Sequence, residues 1–133
     1  MTEAEENELK QAEEHLVYWQ PQLRLDHIDF ELDMLRKEEN VSLAQCCVAF
    51  ARHRQKLHVR HPDDRSERDK NDFRRDLEVA VVHELLHSKE ATWRDHPSID
   101  DVFKKDKWLT ELHEDSLDAI AEALVRARRG IIR

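Results

Sequence analysis

One glycine, three prolines and a single tyrosine among 133 residues leave little material for sharp turns. A phosphate-cradling glycine loop, and the nucleotide folds built on one, are excluded. The two cysteines, Cys46 and Cys47, are adjacent in the chain. A disulfide between neighbours is a strained staple, so a disulfide-framed secreted scaffold is excluded, the spacing makes no zinc ribbon, and reduced, partly buried thiols are expected. No apolar run approaches the roughly 20 residues that cross a bilayer, and acidic residues follow Met1 where a signal peptide would be basic and then greasy. The expectation is a cytoplasmic chain with no membrane partner.

What the chain has in quantity is charge. Lys and Arg number 22 against 30 Asp and Glu, a formal net of −8 with His neutral, which argues against nucleic acid as a partner. Charged and hydrophobic residues each make up 39%. The hydrophobic ones recur periodically, so a modest core in one domain spanning residues 1–133 is expected, without repeats or linkers.

From Glu3 to about Trp19, Ala4, Leu9, Ala12, Leu16 and Val17 are spaced for one face of a helix, and Pro21 interrupts it. Leu23 and Leu25, then Ile28, Phe30 and Leu32, alternate as in a half-buried strand whose phase shifts near Asp26 and His27, as a bulge would shift it. Val41 to Phe50 fits a strand or a helix. Leu57 to Arg60 alternates after a basic stretch and reads as an edge strand ended by Pro62. Phe73, Leu77, Ala80, Val81 and Leu85 predict a long helix from about Glu67 to Lys89. Ala91 to about Lys107 reads as a loop. Leu109, Leu112, Leu117, Ile120, Leu124 and Ala127 predict a final helix from Trp108 to near Gly130. Helix, small sheet, helix, loop and helix make an α+β domain.

The long helix carries His83, Glu84, Leu85, Leu86 and His87, an HExxH pattern. Histidines four apart stand one turn above each other, so both rings can offer neutral nitrogens to one Zn²⁺. Glu84, about 100° around the helix, can reach a water held at that metal and act as general base. An imidazole pair amid Val81, Val82, Leu85 and Leu86 is costly to bury unless something binds it.

Tetrahedral zinc needs a third protein ligand. The metzincin continuation would demand Gly at position 90 and His at position 93, where Glu90 and Trp93 stand. His96, His113 and Glu114 remain as candidates. Helical phase puts His113 near the centre of the stripe formed by Leu109, Leu117, Ile120 and Leu124, with Glu114 at its edge.

With HExxH followed by Glu114 and Asp118 in an ExxxD spacing, the chain resembles the zincin metallopeptidases, and among them the gluzincins. The resemblance covers roughly Glu67 through Arg129. It implies a minimal zincin-like fold in which the C-terminal helix supplies Glu114 as third Zn²⁺ ligand, with Asp118 as the acceptor that orients a ligand ring. The chain departs from the fuller gluzincin motif at His113, which replaces Asn, and at Leu117, which replaces Ser. His113 and His96 stay open as alternative ligands. The implied activity is hydrolysis of peptide or protein substrates by metal-activated water, with Glu84 as base and the Leu57–Arg60 edge binding an extended peptide. The alternative is a catalytically silent zincin-like domain that keeps its metal for regulation or protein interaction.

Overall fold

The computed structural model describes residues 2–35, 44–51, 54–62, 72–73, 76–94 and 105–130. Three helices and a three-stranded sheet follow in the order α1 (Glu3–Gln22), β1 (Asp29–Leu35), β2 (Ala44–Ala51), β3 (Arg54–Arg60), α2 (Leu77–Arg94) and α3 (Lys107–Arg128). This is the expected α+β class. The helix predicted from Glu67 begins at Leu77 and leaves Phe73 outside it, while 63–71 lie outside the described residues. Its far end runs through Arg94, into what read as loop.

Helix α1 opens with Thr2 accepting a hydrogen bond from the Glu5 amide at 3.2 Å, and three glutamates in its first turn suit the positive end of the helix dipole. It buries Ala12, Leu16 and Trp19. Pro21 does not end it. The helix closes one residue later, with Arg24 in the left-handed region at φ 57°, its amide donating to the Pro21 carbonyl and that of Leu25 to the Gln20 carbonyl. The Gln20 side chain also donates to the carbonyls of Leu25 and Ile28, at 3.0 and 2.6 Å. Leu23 and Leu25 therefore belong to this closing turn, and the expected bulged strand shortens to β1.

The strand order is β1-β3-β2, with β1 parallel and β2 antiparallel to β3. Leu57–Arg60 thus lies in the central strand, which corrects the edge reading. The reason is visible in the register: Asp29, Glu31 and Asp33 are set opposite Arg54, Lys56 and His58, so the basic face of β3 lies against an acidic one instead of guarding an edge. On its other face Gln55, Leu57 and Val59 are buried. The segment read as strand or helix is β2.

Helix α2 is the centre of the molecule. It packs on β2, α1 and α3, and from Leu77 to Val82 every residue is buried. Asp76 caps it, accepting from the amides of Glu78 and Val79 at 2.9 and 3.4 Å. Helix α3 is capped by Asp106 and buries Leu117, Ala121 and Val125. The two run antiparallel, since Glu78 meets Arg128 and Arg129 at one end while Glu90 meets His113 at the other. No helix among the described residues is long and apolar enough to cross a membrane.

Candidate metal centre

The HExxH residues sit in the middle of α2, where the helix passes from full burial toward the surface. The side chains of His83 and His87 are 13% and 25% exposed, while Val81, Val82 and Leu85 around them are inaccessible. The helix backbone is anchored against the sheet by Ser88, whose hydroxyl donates to the Gln55 side chain of β3. The imidazoles are thereby directed away from the sheet, toward α3.

There they converge. His83 Nε2 and His87 Nε2 are 3.1 Å apart, and Glu114 brings Oε2 to 3.0 Å from the first and Oε1 to 3.1 Å from the second. At that separation either one ring donates its Nε2 proton to the other or both turn lone pairs toward a shared cation, and a carboxylate alongside favours positive charge there. Metal–ligand lengths of about 2.0 Å in a tetrahedron correspond to ligand–ligand edges of about 3.3 Å. The observed separations match such edges, so the two imidazoles and the carboxylate could together hold a metal ion.

Electrostatics point the same way. Burial works against protonation of His83, yet the hydrogen bond to Glu114 and the charges of Glu84, Asp118 and Glu114 together raise its pKa above the ordinary 6.5. The hydrogen bonds from His83 and His87 hold the Glu114 carboxyl well below the usual carboxylate range, outweighing its desolvation. The site draws in a positive charge.

The expected residues are placed as follows. Glu114 joins the two histidines, and Asp118, one turn further along α3, stands 2.7 Å from Nδ1 of His83, off the line of the ring N–H. Glu84 is buried in α2 and close enough for its charge to act on His83. His113 is not brought into the cluster: its Nε2 is 2.6 Å from Glu90 Oε2, and its ring stacks edge-on to His87 with centroids 5.9 Å apart. His96 lies outside the described residues. The residue that sequence reasoning passed over is Glu90. It was weighed only as the place where a metzincin carries glycine, although a carboxylate three residues after His87 shares that histidine's helix face.

No known family, curated protein or solved structure matches the chain.

Proposed function

We propose that the chain is a zinc-dependent hydrolase of peptide bonds, with His83, His87 and Glu114 as metal ligands and Glu84 as general base. The observation that carries this reading is the convergence of three donor atoms, His83 Nε2, His87 Nε2 and Glu114 Oε2, within 3.0 to 3.3 Å of one another, from an HExxH helix and an ExxxD helix. A bound Zn²⁺ would supply Lewis acidity, polarising the scissile carbonyl and lowering the pKa of a water toward about 7. Glu84 takes the proton of the attacking water and passes it to the leaving amine. Its burial on α2, amid apolar neighbours, excludes bulk water and strengthens that exchange. Asp118, 2.7 Å from Nδ1 of His83, would accept the Nδ1 proton and orient that ring when Nε2 holds the metal. With Leu57–Arg60 internal to the sheet, the strand left to receive an extended peptide beside the helix is β2, the outer strand that packs on α2.

Glu84→Gln in zinc-loaded protein is expected to lower cleavage of a fluorogenic library of unstructured peptides by at least ~100-fold. Zinc stoichiometry and helical circular dichroism should stay at the level of the unsubstituted protein. Retained cleavage would overturn the assignment of Glu84. The cluster also bridges α2 and α3, which supports a second reading in which the metal only staples the helices of an interaction domain. Stoichiometric zinc without cleavage by the unsubstituted protein would favour that one.

A further inference from the structure

A neutral imidazole that offers the lone pair of Nε2 carries its proton on Nδ1, and a half-buried ring needs an acceptor for it. The two histidines solve this differently. For His83 the carboxylate beside Nδ1 comes from the facing helix, as Asp118 Oδ1 at 2.7 Å, off the line of the ring N–H. For His87, the carboxylate beside Nδ1 comes from its own helix, as Glu90 Oε1 at 3.9 Å.

Glu90 Oε1 is buried and has no hydrogen-bond partner, while Oε2 of the same carboxylate takes the Nε2 contact of His113 at 2.6 Å. The Glu90 and His113 side chains are only 16% and 11% exposed. A buried carboxylate oxygen left unpaired is destabilising, so this one calls for a donor. The partner facing Oε1 is the Nδ1 edge of His87, with a separation about 1 Å beyond hydrogen-bond length.

We propose that Glu90 is the positioning carboxylate of His87, accepting its Nδ1 proton when Nε2 is committed to the metal, and that His113 holds Glu90 in place from α3. The inference rests on the reading of His83, His87 and Glu114 as ligands. Each ligand ring then has its own carboxylate on the far nitrogen, one reaching across the helix pair and one along α2. His113 has the role of a clamp. It ties the carboxylate to the opposite helix, so the orientation of His87 depends on α3 as much as that of His83 does.

The test uses the full chain loaded with zinc, and reads imidazole proton resonances by ¹⁵N-resolved NMR together with zinc affinity by competition with a chromophoric chelator. Two slowly exchanging Nδ1–H signals are expected in the unsubstituted protein, assigned through His83→Ala and His87→Ala. Glu90→Ala should remove the His87 signal, keep the His83 signal and weaken zinc binding by about 10- to 100-fold. Asp118→Ala should do the converse. Glu90→Gln, whose amide oxygen can still accept, should restore part of the affinity, and it guards against a loss of folding in the alanine variant. His113→Ala should broaden the His87 signal without affecting that of His83. A His87 signal and a zinc affinity both unchanged in Glu90→Ala would overturn the proposal while leaving the ligand set intact. Failure of the unsubstituted protein to take up zinc would overturn both.

Discussion

His83 and Glu114 carry charge-dependent behaviour that their neighbours impose. With its pKa raised, metal-free His83 contributes stability that is fully present below about pH 6.5 and is lost as pH rises through its folded value. With its pKa lowered, Glu114 contributes stability present above about pH 4.5 and lost as pH falls through its folded value. The metal-free cluster therefore stabilises most between those limits, as an imidazolium–carboxylate pair. Zinc has to displace that proton. Titration of zinc into metal-free protein near pH 6.5, in buffers of different ionisation enthalpy, should show proton release, and His83→Ala should diminish it. Equal heats in all buffers would contradict His ligation. Among these residues Glu84, His83 and His87 were legible from spacing alone, since i and i+4 on a helix share a face. Glu114 was singled out through a family resemblance, while helical phase placed it at the edge of a stripe with His113 near the centre, and phase reports where a side chain packs but not which atom it meets. Glu90 was legible from its place three residues after His87 on the same helix face, and was passed over.

At the scale of the element, the helices were read correctly as helices, but their buried faces and boundaries were not. Of the stripe read for α3, Leu117 is buried while Leu112 and Ile120 are exposed, with Ala121 and Val125 taking the buried positions, and the end of α1 was read at about Trp19, three residues short of Gln22. Proline lacks an amide to donate, but its own carbonyl still accepts from Arg24, and Gln20 covers the carbonyls beyond. The turn places an arginine where glycine is ordinarily found, at φ 57°. Arg24→Gly should therefore stabilise the protein by about 1 kcal/mol, measured as a higher midpoint in urea at unchanged slope. A lower midpoint would mean that the Arg24 side chain contributes more than its backbone costs. The sheet was less legible than the helices. Alternation identifies a strand but not its neighbours, and the pairing of β1 with β3 depends on Asp29, Glu31 and Asp33 meeting Arg54, Lys56 and His58 across 25 residues of sequence.

For the molecule as a whole, α2 and α3 are tied at two separated places. One is the cluster of His83, His87 and Glu114 with the adjoining Glu90–His113 pair; the other is Glu78, only 3% exposed, which accepts from Trp19 of α1 at 2.7 Å and from Arg128 and Arg129 at the end of α3. Arg128 lies over the ring of Tyr18 at 3.5 Å, which brings α1 into the same tie. Burial raises the Glu78 pKa, but the hydrogen bonds from Trp19 and Arg128 outweigh it and lower the net value. Its contribution is present above about pH 4.5 and is lost as pH falls through the folded value. Glu78→Leu should cost about 2 to 3 kcal/mol, less than for a fully buried pair because the arginines are a third exposed, and should flatten the acid limb of the stability profile. The metal tie predicts a thermal effect of its own. Zinc at about 100 times its dissociation constant should add about 2.7 kcal/mol and raise the melting temperature by about 10 °C, reversibly with chelator. An unchanged melting temperature would place the ion elsewhere than between the helices.

The central strand follows both of its neighbours along the chain, and this governs how the sheet comes together. β2 and β3 are separated by only two residues and can zip as a hairpin within microseconds, while β1 must await a partner that is synthesised later and inserts beside it. Closing that parallel pairing costs loop entropy before any hydrogen bond is gained. During translation, therefore, the first strand to leave the ribosome has no partner until β3 has emerged.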